Sequence, residues 1–206
     1  MRSSLFFLAL PALGFAAPPV SPQITKLVFS GSGCPNDSGS VKSDTVTLGD
    51  SAGVSFTQLK GTDTDNCAVH IQSAGGTPGW QAAVKEITYE GDVNLRGNSE
   101  LDTFTQVFWS ENAGNTVSCT GHEGLCLILC TNTMQGTLTG GLACAGPEIK
   151  DYVTVRSSTA DLVWSKCTGD SGSPGILNVN FRPVVQGDYG SYDFKHATWK
   201  LEWRKC

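Results

Sequence analysis

The chain is short of charge. Asp, Glu, Lys and Arg make up 16% of its 206 residues, against a usual share of about 25%. Its 14 basic residues are outnumbered by 19 acidic ones, which leaves a net charge of −5. Neutralising phosphates needs a clustered basic surface, so this balance argues against nucleic acid as a partner. Beyond the N-terminal stretch no segment approaches the roughly 20 apolar residues of a membrane span. No hydrophobic C-terminal tail suggests a lipid anchor. Heptads, internal repeats and a linker that would divide the chain are also missing. Low charge does not mean disorder here. Nine Phe, five Trp and four Tyr, within 39% hydrophobic residues, are enough for one sizeable core.

What is present begins with a secretory pattern. Arg2 gives a positive start, Leu5 to Leu10 an apolar run, and Gly14-Phe15-Ala16 the small residues that a signal peptidase reads. Residues 1–16 are therefore expected to be a signal peptide, cleaved after Ala16 or Ala17, with 17–206 as one mature domain. Pro11 and the shortness of the run speak against a membrane anchor. Export sets the reading of the eight cysteines, Cys34, Cys67, Cys119, Cys126, Cys130, Cys144, Cys167 and Cys206. An even number in an oxidising compartment means four disulfides, whose connectivity the spacing leaves open. Asn36-Asp37-Ser38 is a sequon in a Gly/Ser-rich stretch, which makes Asn36 a glycosylation candidate.

Two-residue alternation dominates the mature chain. Leu177, Val179 and Phe181 alternate with Asn178 and Asn180, and Trp199, Leu201 and Trp203 with Lys200, Glu202 and Arg204. Ile87, Tyr89, Gly91, Val93 and Leu95 share one phase, whereas Trp80, Ala82 and Val84 hold the other. The change near Lys85-Glu86 predicts a bulge, or two strands in succession. Further strands are expected at Ile24–Phe29, Thr45–Leu48, Val54–Leu59, Cys67–Gln72, Thr103–Trp109, Asp151–Arg156 and Asp161–Trp164. Turn-rich clusters punctuate them. The fold expected is all-β, a single antiparallel β-sandwich stapled by disulfides.

Several short motifs occur in a recognisable order. Gly31-Ser32-Gly33-Cys34-Pro35 follows the first strand and Asn66-Cys67 opens a later one. Tyr89-Glu90-Gly91 is followed by Leu95, and Gly146-Pro147 precedes Tyr152. Val163-Trp164-Ser165-Lys166-Cys167 leads to Leu177-Asn178-Val179-Asn180, and the chain ends Trp203-Arg204-Lys205-Cys206. From about Ile24 to Cys206 this order resembles the secreted, mostly fungal family called domain of unknown function 4360. The resemblance implies a secreted β-rich protein and brings no activity and no catalytic residues. It favours Cys34 with Cys67 as a pair. Lys166, where the family often has Pro, and the cysteine-rich stretch from Cys119 to Cys144 depart from the pattern.

Each chemical constellation competes with a plainer explanation. Gly169-Asp170-Ser171-Gly172 looks like the neighbourhood of a serine-protease nucleophile, but His70 and His122 lack a supporting context, and the residues suit a turn. His122, Cys126, Cys130 and Cys144 are the right types for structural zinc, yet exported thiols oxidise. Asp63-Thr64-Asp65-Asn66 offers oxygens to calcium without the Gly and distant Glu of an EF-hand. Glu90 and Asp92 share a strand face and could pair as in a glycosidase, or form a wet sheet face. Trp164, Trp199 and Trp203 read as core; Trp80 and Trp109 are the better candidates for exposure to a sugar, although burial is the safer reading even for them. The expectation is a protein without catalytic residues, metal or cofactor, acting outside the cell as an effector or other surface-interaction protein. Its partner would be an extracellular protein or a cell-wall polysaccharide. The alternative is a cell-wall carbohydrate-binding protein or glycoside hydrolase, and a remote one is a serine hydrolase using Ser171.

Overall fold

The computed structural model describes residues 17–96, 99–122, 129–132, 149–159, 161–187 and 189–206, with backbone alone for 117–122, 129–132 and 149. The expected signal peptide at 1–16, with Cys126, Cys144, Gly146 and Pro147, lies outside the described residues. The side chains of Cys119, His122 and Cys130 also lie outside them.

The strands are β1 (Gln23–Ser30), β2 (Val41–Ser43), β3 (Ser51–Phe56), β4 (Lys60–Gly61), β5 (Cys67–Ala74) and β6 (Trp80–Arg96). Then come β7 (Glu100–Trp109), β8 (Val117–His122), β9 (Leu129–Asn132), β10 (Ile149–Ser158), β11 (Ile176–Gln186) and β12 (Tyr189–Lys205). One antiparallel sheet has the order β1-β5-β11-β7-β8-β9. The other runs β10-β6-β12-β3-β2, with β4 paired to β12. The two sheets pack together as a sandwich. No α-helix occurs among the described residues; one 3-10 turn covers Ser110–Asn112.

Alternation explains the layers. In β5, Cys67, Val69, Ile71 and Ser73 point inward while the residues between them are half-exposed. β6 is a single strand of 17 residues that changes phase within its length. Val84 pairs with Leu201 and Glu86 with Lys200, so Lys85 is the extra residue of a bulge. The bulge lets Ala82 and Val84 face the core before it and Ile87, Tyr89, Val93 and Leu95 after it. β12 carries a second bulge between Phe194 and His196, opposite Gly91 and Glu90. A Cβ on Gly91 would lie 2.3 Å from the Asp193 carbonyl oxygen, so only glycine fits that bend.

Aromatic rings join the sheets. Tyr89 of β6 stacks on Phe181 of β11 at 3.6 Å between centroids, and Phe181 meets Phe194 of β12 edge-on at 5.1 Å. Trp199 and Trp203 are buried in the core, as expected. Trp109, an exposure candidate, is fully buried. It ends the inward phase of Leu101, Thr103, Thr105 and Val107, and that phase outweighs the polar turn beside it. Thr45–Leu48 contributes only one isolated bridge, Gln23 with Thr47. Asp161–Trp164 is irregular rather than a strand.

Among the described residues two disulfides staple the sandwich. Cys34–Cys67 ties the loop after β1 to the start of β5, and Cys167–Cys206 ties the connection before β11 to the chain end. The first is buried and braced by Asn66, whose carbonyl accepts the Gly33 N–H at 3.0 Å. The Asn66 side-chain oxygen also accepts the Ser32 hydroxyl at 3.3 Å. Gly31, at φ +140°, passes so close that a Cβ would sit 2.1 Å from the Asn66 oxygen. Each staple thus joins two of the short sequence motifs in space.

Candidate functional site

The sequence candidates disperse over the fold. Ser171 is exposed in a turn closed by the Gly172 N–H donating to the Gly169 carbonyl at 2.8 Å, with Gly172 at φ +65°. Its hydroxyl accepts the Ser173 N–H at 3.4 Å. His70 sits on β5, with Nδ1 2.5 Å from the Asn178 amide oxygen. The oxygens proposed for calcium serve the fold. Asp63 accepts the Thr64 N–H at 2.7 Å, Asp65 accepts the Tyr192 hydroxyl at 2.6 Å, and Asn66 braces Ser32. Burial and that Asp65 contact push the Tyr192 hydroxyl well above its ordinary pKa. Among the described residues, no three His, Cys, Asp or Glu side chains gather as metal ligands would. No helix among them is long and apolar enough to cross a membrane.

Glu90 and Asp92 lie on the outer face of the β6 sheet, where Asp92 is paired with Tyr152 on one side and Asp193 on the other. Partial loss of solvent, then the charges of Glu90 and Asp92, raise the Tyr152 hydroxyl pKa, against the opposing effect of Lys195. Lys195 itself pairs with Asp193, and Glu86 with Lys200 at 2.8 Å. Charges are interspersed and paired here, which is the composition of a wet sheet face. Asn36 is exposed in the turn after Cys34, beside Asp37 at φ +59°.

A concave site forms elsewhere, at the end of the sandwich held by Cys167–Cys206. β10 covers β6 only from Glu86 to Leu95. Below that, the irregular segment 161–168 covers the strand. The Ser165 N–H donates to the Ala82 carbonyl at 2.8 Å, and the Ala82 N–H to the Ser165 hydroxyl at 3.0 Å. The Thr168 N–H donates to the Trp80 carbonyl at 2.8 Å, and Trp80 N–H to the Thr168 hydroxyl at 2.9 Å. These bonds turn Val163 and Ser165 inward, so Trp164 faces outward and is only half-buried. That corrects its expected core position.

Trp164 borders a cleft of about 480 Å³, within the usual range of small-ligand sites. The Arg204 guanidinium, from the outward phase of β12, lies 4.0 Å over the indole. Its Nε donates to Gln81 Oε1 at 3.0 Å, and Gln81 Nε2 donates to the Ser165 carbonyl at 2.9 Å. Asn112 accepts the Asn115 amide at 2.8 Å. Glu111 accepts the Ile176 N–H at 3.2 Å and lies 3.5 Å from Lys166. The Glu111 carboxylate packs on Gly175, where a Cβ would approach to 2.1 Å. The wall is thus an indole, a guanidinium, three amides, one carboxylate and one ammonium, several of them held by bonds to backbone. Trp80 is half-buried nearby on β6, with Lys205 5.8 Å above its ring.

Sequence reasoning had not singled out Arg204, Gln81, Glu111, Asn112 or Asn115 as site residues. A signal existed for Arg204. It stands out of phase with the buried Trp203, one position before the chain-end Lys205-Cys206. The partners of Glu111, Ile176 and Lys166, come from distant connections and leave no local spacing to read.

Comparison with curated proteins finds no match. Among solved structures, TmCBM61 in complex with beta-1,4-galactotriose aligns at 11% identity over 89% of this chain and 91% of its own. Its TM-score is 0.28, too low for the likeness to bear on function. The short motifs gathered by the two staples are accounted for by a family match, in which the sequence model of the domain of unknown function DUF4360 covers residues 21–206, and the chain belongs to that family.

Proposed function

We propose that this is a secreted, non-catalytic binding protein that works at an extracellular surface, with residues 1–16 removed as a signal peptide and 17–206 as the mature domain. The observation that carries this reading is the preorganised cleft beside Cys167–Cys206. Its flat and polar groups are fixed before any ligand arrives, which lowers the ordering cost of binding. Its carboxylate, Glu111, is already committed to the Ile176 N–H and Lys166. A glycosidase places an acid and a second carboxylate on either side of the scissile bond, and Glu90 and Asp92 lie on the outer sheet face away from this cleft. Disulfides suit exposure to proteases, because cleavage follows how rarely the chain opens. The biological form of such a binder could be an effector acting on a host.

A second reading, a cell-wall carbohydrate binder, is favoured by the half-buried indole of Trp164 among amides. Both are tested by retention on insoluble chitin, β-glucan, cellulose and pectin, run beside a reducing-sugar assay. The expected outcome is retention without sugar release. Release that follows the pure protein would replace the binding reading with a hydrolase.

A further inference from the structure

The charge of the cleft selects among ligands. Arg204 and Lys166 bring two positive charges against the single carboxylate of Glu111, although the chain as a whole carries −5. The Glu111 carboxylate does not cancel both. It lies 3.5 Å from the Lys166 ammonium, whose side chain is half-exposed, and one of its oxygens is taken by Ile176. Arg204 is fixed in direction by stacking on Trp164 and by its Nε bond to Gln81. Its two terminal amino groups hold no partner among the described residues. A guanidinium anchored in this way presents a planar two-pronged donor, the partner of a carboxylate.

The rest of the wall is not that of a phosphate or peptide site. Asn112, Asn115 and Gln81 supply amides, each with donor and acceptor capacity, which suits adjacent hydroxyl groups. Leu162 and the Trp164 indole supply apolar surface on which the C–H face of a ring can rest. A carboxylate, several neighbouring hydroxyls and an apolar ring face occur together in sugar acids, the uronic acid units of polysaccharides among them.

We propose that the cleft between Trp164 and Arg204 binds the uronic acid units of an acidic polysaccharide, with the sugar carboxylate on Arg204 and Lys166. This rests on the binding reading above but fails separately from it. Sugar release would end the non-catalytic claim and leave the ligand class standing.

The test is calorimetric titration of the intact secreted protein with trigalacturonate, and with cellotriose as a neutral trisaccharide. Trigalacturonate should bind, and Arg204→Gln should weaken it by about tenfold or more, the loss of one charge-assisted contact. Lys166→Gln, at an exposed side chain, should weaken it less, and both variants should keep the parent melting temperature within a few degrees. Raising salt should weaken trigalacturonate binding. Tyr152→Ala, on the outer sheet face, should leave binding unchanged. Equal affinity for cellotriose, unchanged binding in Arg204→Gln, or no binding of trigalacturonate would each overturn the proposal.

Discussion

The two described disulfides close loops of similar length, with sequence separations of 33 and 39, but they hold different kinds of structure. Cys34 and Cys67 are fully buried, and the residues around them bond to one another. Cys167 and Cys206 are exposed, and the segment they hold is irregular, stacked with cations and indented by a cleft. Loop entropy is nearly equal for both, about 4 kcal/mol in the chain-entropy account. What differs is what each staple positions. One closes the core, and the other holds in place a surface that the sheets alone would not shape.

The largest expected effect comes from opening the buried staple. Cys34→Ala/Cys67→Ala should lose about 4 kcal/mol from loop closure and further stability from lost packing, measured by urea unfolding. The exposed staple, removed as Cys167→Ala/Cys206→Ala, should cost no more than its loop term. In native protein without denaturant, a mild reductant should reach Cys167–Cys206 before Cys34–Cys67, as mass mapping of alkylated peptides would record. The reverse order would break the comparison.

Tryptophans sharpen it next. Trp199→Ala empties a fully buried site and should cost about 3–4 kcal/mol. Trp164→Ala should cost about 1–2 kcal/mol, since the ring is half-exposed and its stacking with Arg204 contributes only about 0.5–1 kcal/mol. Equal losses would mean that Trp164 belongs to the core after all. Gly91→Ala, pressed on the β12 backbone, should cost about 1–3 kcal/mol despite adding one methyl group.

The smallest effect separates the regions by pH. Burial pushes the Tyr89 hydroxyl, between the sheets, above its ordinary value, with lesser opposing hydrogen bonds from Thr105 and Trp199. Its folded-state pKa therefore exceeds the unfolded one, so the stabilisation is complete below about pH 10 and is lost as pH rises. Above that point unfolding free energy should fall by up to about 1.4 kcal/mol per pH unit for this group. Tyr192 is shifted the same way. Alkaline denaturation should thus loosen the core, and a melting temperature flat from pH 9 to 11 would contradict it.

Much of the sandwich was legible because strands bury alternate residues. The phase change near Lys85-Glu86 reads as a bulge or as two strands in succession, of which the structure has the bulge, and Trp199 and Trp203 read as core. Trp164 is where the reading departs from the structure: it reads as core beside Trp199 and Trp203, whereas local phase turns it outward. Val163 and Ser165 turn inward, and a buried serine is legible only once its bonds to Ala82 and the Lys166 carbonyl are known. The cleft itself could not be read, because Gln81, Glu111 and Arg204 meet through connections far apart in sequence. The pairing of Cys34 with Cys67 came from family resemblance, since spacing leaves many connectivities open.

The central claim is that stability and binding reside at opposite staples. Its most direct test compares Cys34→Ala/Cys67→Ala with Cys167→Ala/Cys206→Ala at a temperature where both remain folded, by titrating each with trigalacturonate. The account predicts that the first keeps the parent affinity while the second loses about tenfold or more as the Trp164 segment is released. Parent-like affinity in the second variant, or an equal loss in both, would contradict it.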